Sequence, residues 1–253
     1  MHIELPHSGR GFFAHLHRSA DWLPALVPHK APSQALRRKR FEIFLSLVRA
    51  QGKAQVSILD VGGTMDFWRS MGFLTSGHRI TILNIHRDTG IPETDLVTSV
   101  AGDGRDMHQY PDRSFDIAFS NSVIEHLRTP EDQLRMANEI RRIGVSYFVQ
   151  TPSFFFPIEP HWACPAFQWL PVPIRALLVM RFDLGGWGKV KTYRDAVHAA
   201  TRIHLLRAGE FRALFPDGLI VKEKFLGLTK SYIAIRRNGD QAPFPVIPLG
   251  NPR

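Results

Sequence analysis

Two pairs of acidic and histidine residues in this sequence could carry acid–base chemistry. Glu125 directly precedes His126, and Glu159 lies two residues before His161 in a proline-containing segment. In an extended segment, side chains two positions apart point the same way, so the carboxylate of Glu159 can reach the imidazole of His161. Such a carboxylate orients the ring and raises its basicity. The candidate catalytic residues are therefore His161, Glu159 and His126.

A glycine turn supplies a candidate ligand-binding backbone. A short apolar run ends at Asp60, and Gly62 and Gly63 follow it, which is typical of a buried parallel strand that stops before a helix. Glycine lets the backbone approach a ligand closely, and a helix N-terminus presents free N–H groups. The acid favours a ligand with hydroxyl or ammonium groups. The spacing matches neither the G-x-G-x-x-G dinucleotide motif nor the P-loop.

Alternating strands and helices predict the frame that positions these residues. The predicted strands are residues 56–60, 79–84, 97–100, 115–120 and 145–150. Two further strands, residues 219–225 and 231–236, are predicted to close the sheet as an antiparallel pair. The pattern predicts an α/β fold with a doubly wound, mostly parallel seven-stranded sheet, in which ligands bind at the carboxyl ends of the strands.

Polar residues stand at the carboxyl ends of these predicted strands. Asn84 ends the second strand, roughly 20 residues after the glycine turn, where such a residue commonly contacts ribose hydroxyls. Asp103 and Gly104 follow the third strand, and Ser120 ends the fourth. Because parallel strands share one carboxyl edge, we expect these residues to lie along the same side of the sheet.

The bulk composition limits the classes of protein to which this chain can belong. Its 253 residues are 44% hydrophobic and 22% charged, which is typical of one globular domain. The single cysteine, Cys164, excludes an internal disulfide and favours a reducing compartment. No apolar run resembles a signal peptide or a transmembrane helix. We therefore expect a cytoplasmic protein.

The net charge of +9 suits either an anionic partner or a basic solvated surface. The one dense cluster, Arg-Arg-Lys-Arg at residues 37–40, is interpreted as the solvated face of a predicted helix over residues 33–50. The sequence contains no zinc finger, RNA-recognition signature or basic–aromatic array, so we predict no nucleic-acid partner.

An aromatic and apolar segment follows the fifth predicted strand. It includes Ile174 and Leu177 beside Arg175 and Arg181. Aliphatic and cationic side chains together are typical of an interfacial helix. The segment is interpreted either as a lid with its own core or as a peripheral contact at the inner membrane face. The second interpretation would suit a lipid-linked substrate.

The order of these motifs resembles that of the class I S-adenosylmethionine-dependent methyltransferases. The resemblance covers about residues 55–152, and the segment from Phe115-Asp116 to Glu125-His126 looks like the fourth-strand segment of that family. It implies a Rossmann-like methyltransferase fold and S-adenosylmethionine as the cofactor.

The resemblance also implies a role for each of seven residues at the cofactor. Those expected around the methionine part and the sulfonium are Asp60, Gly62, Gly63 and Ser120. Those expected around the nucleoside are Asn84 at the ribose, Asp103 at the adenine amino group and Gly104 beside the adenine ring. In some members, such as the ubiquinone O-methyltransferases, the segment around His126 helps to hold a metal. We predict no metal here and leave open that His126 only forms local hydrogen bonds.

Three residues depart from the pattern of that family. Thr64 and Asp66 occupy places that usually carry further glycines, and Asn84 stands where an acid is usual. Asn lacks the anionic geometry of a carboxylate, so weaker or rearranged ribose contacts are expected. An alternative interpretation is therefore a catalytically inactive binding or regulatory protein. A nicotinamide-dependent oxidoreductase is a further alternative, which the glycine spacing disfavours.

The sequence thus predicts one methyltransferase domain over residues 1–253. Its predicted parts are an N-terminal arm and helix (1–50), a cofactor-binding core (55–152), a substrate lid or insert (153–206), a closing helix and strands (207–237) and an irregular tail (238–253). The predicted reaction is methyl transfer, with oxygen preferred as the acceptor atom because a His/Glu base suits a hydroxyl. The predicted acceptor is a small molecule, a glycan or a lipid-linked compound.

Overall fold

The computed structural model describes residues 31–87, 94–186 and 188–239. Residues 1–30 of the predicted N-terminal arm and most of the predicted tail lie outside these residues. The strands are β1 (Ser57–Val61), β2 (Arg79–Asn84), β3 (Val97–Ala101), β4 (Phe115–Asn121), β5 (Gly144–Pro152), β6 (Ile158–Glu159), β7 (Cys164–Pro165), β8 (Leu219–Phe225) and β9 (Leu228–Arg236). The helices are α1 (Ala31–Arg49), α2 (Met65–Ser70), α3 (Pro130–Ile143), α4 (Val172–Arg181), α5 (Tyr193–Ala200) and α6 (Ala208–Leu214).

Seven of these strands form one sheet in the order β3-β2-β1-β4-β5-β9-β8. Strands β1 to β5 pair in parallel, whereas β9 pairs antiparallel with both β5 and β8. The predicted sheet and its closing pair are therefore confirmed. The strand order reverses between β1 and β4, and a ligand site is expected outside the carboxyl ends of the strands at such a switch point.

Helices cover both faces of the sheet, so its central strands are apolar on both sides. On one face, α1 and α2 pack through Phe44, Leu47 and Trp68. On the other face, α3 and α6 pack through Ile140 and Phe211. This sandwich fixes the carboxyl ends of β1 and β4.

The start of α3 follows the local signals in the sequence. The hydroxyl of Thr129 accepts a hydrogen bond from the backbone N–H of Asp132 at 3.1 Å, and Pro130 occupies the first helical position. Such a cap satisfies one of the free N–H groups of the first turn. Helix α3 thereby begins directly after the segment that carries Glu125 and His126.

Residues 153–206 form an insert with a small core of its own. Trp162 and Phe167 pack there against Val179 of α4 and Ala200 of α5. The predicted interfacial helix is shorter than the apolar segment, since α4 begins only at Val172. The preceding residues form β7 and a 3₁₀ turn because Pro171 and Pro173 allow a helix to start but not to extend backwards.

The interpretation of residues 37–40 as a wholly solvated face is wrong for Arg40. Its side chain is 11% exposed and forms a bidentate ion pair with Glu223 at 3.2 and 3.0 Å. It also donates to Asn121 Oδ1, at the end of β4, at 2.9 Å. Arg40 is therefore partly buried and connects α1 to β4 and β8, which a charge cluster in the sequence alone does not reveal.

Candidate functional site

The glycine turn (residues 61–64) at the end of β1 has no space for side chains at either glycine. Gly62 adopts φ +79°, and a Cβ there would lie 2.5 Å from Val123 Cγ1. A Cβ on Gly63 would overlap the carboxylate of Asp60. Both glycines are therefore required by close approach, and Gly62 also by its left-handed backbone.

Asp60 is fully buried under this turn. Its Oδ2 accepts a hydrogen bond from the indole N–H of Trp68 at 2.6 Å, whereas Oδ1 is buried with no hydrogen-bond partner among the described residues. Burial raises the pKa of Asp60 to about 7, although the bond from Trp68 opposes this shift. A cation beside Oδ1 would favour the ionised form.

Three other predicted cofactor residues surround the glycine turn. Asn84 donates from Nδ2 to the Gly63 carbonyl at 2.9 Å, and its Oδ1 is buried with no hydrogen-bond partner in the described structure. The Ser120 hydroxyl donates to the Val61 carbonyl at 3.1 Å. A Cβ on Gly104 would lie 2.7 Å from Val61 Cγ1. The structure therefore brings Asp60, Gly62, Gly63, Asn84, Gly104 and Ser120 together.

Asp103 lies nearby in sequence, but its carboxylate is already paired. Arg105 donates to it from Nε at 3.0 Å and from Nη2 at 2.7 Å, and this hydrogen bonding lowers the pKa of Asp103. Arg105 also forms an ion pair with Asp132 of α3 at 3.1 Å. The expected contact from Asp103 to an adenine amino group stays a prediction, because the arginine competes for the same oxygens.

Two polar atoms beside the glycine turn that have no hydrogen-bond partner among the described residues suit S-adenosylmethionine as a ligand. Asp60 Oδ1 and Asn84 Oδ1 are both acceptors, and both side chains contact Gly63. Buried acceptors normally have a donor partner. The ammonium group and the ribose hydroxyls of the cofactor are donors of the required kind.

A second group of titratable residues consists of Glu125, His126, Glu159 and His161. We call this group the acid–histidine cluster. Glu159 and His161 are 2% and 5% exposed, and Glu159 Oε1 lies 2.7 Å from His161 Nδ1. Glu159 Oε2 accepts from the backbone N–H of Trp162 at 2.6 Å. The predicted contact between the two side chains is present, with β6 and the following turn holding it.

Glu125 completes this arrangement from the end of β4. Its Oε2 accepts from the Thr151 hydroxyl at 3.0 Å, and its Oε1 lies 3.8 Å from His161 Nε2. Burial raises the pKa of Glu125 to about 7, and the proximity of His161 opposes this shift. Burial lowers the pKa of His161, but Glu159 and Glu125 more than offset it, so the pKa lies above its ordinary value.

His126 contacts His161 edge to face, with ring centroids 4.8 Å apart and an interplanar angle of 90°. Burial lowers the pKa of His126 to about 3, and the neighbouring His161 and Arg202 contribute to this shift. One ligand atom each from Glu125, His126 and His161 lies within 4.8 Å of the others, so the three could share a metal ion. No metal was predicted from the sequence, and neither was the convergence of these three side chains.

Trp68 and the role of Thr64 were likewise not predicted from the sequence. Trp68 binds Asp60, and a buried indole N–H needs such a partner. Thr64 caps α2 by accepting from the Phe67 N–H at 3.3 Å. A threonine directly before Met65-Asp66 is a capping signal that was available in the sequence. Thr64 stands where the methyltransferase family usually has a further glycine, and here it caps α2.

The comparisons with known proteins agree with this geometry. Residues 76–145, which run from just before β2 into β5, match the family model described as a methyltransferase domain. Together with the sheet order, this match confirms the resemblance to the class I S-adenosylmethionine-dependent methyltransferases. S-Adenosylmethionine is the cofactor of that class.

The curated relatives match only a short part of this chain. An uncharacterised protein of Mycobacterium tuberculosis is 39% identical over 56 residues, which are 22% of this chain and 19% of that protein. The chain thus spans about a fifth of the length of the curated relatives it matches.

Two solved structures share the fold at low identity. The CurJ carbon methyltransferase has a TM-score of 0.52 at 10% identity, covering 82% of this chain and 55% of that one. A protein of Bordetella parapertussis, described as a possible exported protein, has a TM-score of 0.50 at 12% identity, covering 87% and 78%. At these identities, the likeness concerns the fold alone.

Proposed function

We propose that this protein transfers a methyl group from S-adenosylmethionine to an oxygen of a small-molecule, glycan or lipid-linked acceptor. The observation that carries the proposal is the pair of unpartnered buried oxygens beside the glycine turn, Asp60 Oδ1 and Asn84 Oδ1. Asp60 lies near the end of β1, beside the switch point of the sheet, and Asn84 ends the neighbouring β2. Ligands bind beside such switch points in open α/β sheets.

In this proposal, the cofactor supplies an electrophilic methyl group on a sulfonium. Asp60 would accept from the ammonium group and Asn84 would bind the ribose hydroxyls, while Gly62 and Gly63 let the turn pack closely against Val123 and Asp60. Ser120, near the end of β4, would be the residue beside the sulfonium. Much of the rate comes from alignment of the acceptor oxygen with the methyl group and exclusion of water.

The acid–histidine cluster would receive the proton that a hydroxyl acceptor loses. Glu159 fixes His161 through a 2.7 Å contact, and a histidine whose pKa is raised is a stronger base in its neutral form. His126, with its pKa lowered to about 3, stays neutral beside it. The competing proposal is that Glu159 and His161 only hold the loop, since Glu159 also binds the Trp162 backbone.

Turnover of the cofactor distinguishes an enzyme from an inactive binding protein. The purified chain, incubated with S-adenosylmethionine and a bacterial carbohydrate and lipid extract, is expected to form S-adenosylhomocysteine in proportion to the extract added. The Asp60→Asn variant is the reference, since it keeps the shape of the side chain but loses the charge. Binding of the cofactor without extract-dependent turnover would favour the inactive alternative.

A peripheral membrane contact is a further proposal, supported by an exposed apolar surface on the insert. Trp169, Ile174, Leu177 and Phe182 are 46%, 46%, 59% and 49% exposed, and Arg181 lies beside them. Such a surface suits the boundary of an anionic bilayer. Among the described residues, no helix has the length and apolarity needed to cross a membrane.

Vesicle flotation tests this contact. The protein is expected to float with vesicles that contain phosphatidylglycerol, and the Ile174→Glu/Leu177→Glu double variant is expected to stay in the soluble fraction. Leu226→Glu is the control, because Leu226 is 86% exposed on the β8–β9 turn. A wild-type protein that remains wholly in the soluble fraction would rule the contact out.

A further inference from the structure

A cavity of about 300 Å³ lies between the end of β5 and the insert. Its walls include Phe154, just after β5, and Trp162, Phe167, Gln168 and Arg175 of the insert. This volume is at the lower end of the range for small-molecule sites. None of its lining residues belongs to the glycine turn, so the cavity is separate from the groups assigned to the cofactor.

Glu159 connects this cavity to the acid–histidine cluster. It lines the cavity and also binds His161, which is not one of the lining residues. A molecule in the cavity would therefore contact the carboxylate that orients the proposed base. This position is suitable for an acceptor, and the inference below accordingly rests on the proposed methyl transfer.

Two residues of the cavity wall each carry a buried polar atom that has no hydrogen-bond partner among the described residues. Arg175 donates from Nη1 to the Ala200 carbonyl at 3.0 Å, but its Nε is buried with no hydrogen-bond partner in the described part of the chain. Gln168 donates twice from Nε2, to the Phe154 and Phe156 carbonyls, and its buried Oε1 likewise lacks a partner there. The wall thus presents one unsatisfied donor and one unsatisfied acceptor, and hydroxyl groups can satisfy both.

Two guanidinium groups of the wall can bind a negative group on the ligand. Arg207 lies over the Phe154 ring at 4.9 Å and contributes a second guanidinium. The two acidic side chains of the wall are engaged elsewhere, Glu159 with His161 and the Trp162 backbone, and Glu210 with the Arg207 N–H at 2.7 Å. Guanidinium groups bind carboxylates and phosphates with matched geometry.

We infer that this cavity binds a single sugar ring with an acidic substituent, a sugar acid or a sugar phosphate, as the acceptor or the part of it next to the methylated oxygen. The ring hydroxyls would satisfy Arg175 Nε and Gln168 Oε1. The apolar C–H face of the ring would pack on Phe154 and Trp162, and the acidic group would be bound by Arg175 and Arg207.

Ligand-observed NMR on the full chain tests this inference without any methyl transfer. D-Glucuronate and D-glucose 6-phosphate are the two anionic probes, and D-glucose is the neutral reference. We expect saturation transfer to at least one anionic probe and much less to glucose. The probe that binds identifies the acidic group as a carboxylate or a phosphate.

Variants in the cavity wall locate the binding. Arg175→Met keeps an unbranched side-chain stem, removes the guanidinium and is expected to weaken binding of the anionic probe at least tenfold. Gln168→Leu is expected to weaken it as well. Arg181→Met is the matched control, since Arg181 is an exposed arginine of the same helix outside the cavity, and it should bind like the wild type.

Three results would overturn the inference: equal binding of glucose, unchanged binding by both cavity variants, or no binding of any probe. Thermal unfolding with S-adenosylmethionine, measured on the same sample, distinguishes a failure of the sugar-binding inference from a failure of the proposed methyl transfer. A cofactor-dependent shift without sugar binding removes only the sugar site. Sugar binding without a cofactor-dependent shift contradicts the methyl-transfer proposal instead.

Discussion

Replacing Gly63 with alanine is expected to remove most of the affinity for S-adenosylmethionine. The new methyl group would overlap the Asp60 carboxylate, which is fully buried and held by Trp68 at 2.6 Å. Asp60 must then move, and the backbone that carries the Asn84 contact must move with it. Loss of one hydrogen bond to a charged group costs about 1.5–3 kcal/mol, which corresponds to roughly 10- to 150-fold in affinity.

The same substitution is expected to lower stability. Overpacking of a closely packed site typically costs about 1–3 kcal/mol in the free energy of unfolding. Calorimetric titration of the cofactor gives the affinity, and urea denaturation gives the stability. Both are measured on the same preparation, so a loss of affinity is not confused with a loss of folded protein.

Gly209→Ala is the matched control for this variant. Gly209 lies in α6, and a Cβ there would have no neighbour within 4 Å. Alanine in a helix is more stable than glycine by about 0.5–1 kcal/mol, so the control should be slightly stabilised and should bind the cofactor normally. Unchanged cofactor affinity in Gly63→Ala would mean that Asp60 does not take part in binding.

Replacing His161 with alanine is expected to lower methyl transfer at least tenfold and to leave cofactor affinity unchanged. General acid–base catalysis contributes roughly 10²- to 10⁴-fold in enzymes, so about tenfold is a lower limit. The expected loss of rate rests on the position of His161. Glu159 and Glu125 lie 2.7 and 3.8 Å from its two ring nitrogens and can orient the ring as a base. The assay is the extract-dependent formation of S-adenosylhomocysteine.

The pH dependence separates a base from a structural histidine. The pKa of His161 lies above 6.5, and a base acts in its neutral form, so the wild-type rate should rise with pH through a value above 6.5. The variant should lose this rise. His108→Ala is the control because the side chain of His108 is 82% exposed, and it should keep both the rate and the profile.

A chelating agent tests the alternative role of His161. Its ligand atom lies within 4.8 Å of those of Glu125 and His126, and a shared metal would make the wild-type rate sensitive to chelation. A base needs no metal, so the proposal predicts no effect. If His161→Ala retained the full rate at saturating acceptor, the base role would be disproved.

Much of the fold could be predicted because its signals are local. Strand β2 was predicted with the bounds that the structure has, and Thr129-Pro130 marked the start of α3. The parallel sheet follows from the alternation of such elements. The start of α4 was less predictable, since residues 163–182 are mostly apolar and only the prolines limit the helix.

Contacts in the candidate site could be predicted from the sequence only between residues that are close neighbours in the chain. Glu159 and His161 are two residues apart, and the predicted contact is present. Glu125 lies 36 positions before His161 in the sequence and approaches it only through the packing of β4 against β5. The pairing of Trp68 with Asp60 likewise depends on how α2 packs on the sheet.

Thermal unfolding of the wild-type chain with S-adenosylmethionine, S-adenosylhomocysteine and NAD tests the central claim most directly. At about 100 times its dissociation constant, a ligand stabilises the folded state by about 2.7 kcal/mol, which for this size is a shift of a few degrees. The proposal predicts such a shift with the two adenosyl ligands and none with NAD. No shift with either adenosyl ligand, or a shift with NAD alone, would contradict it.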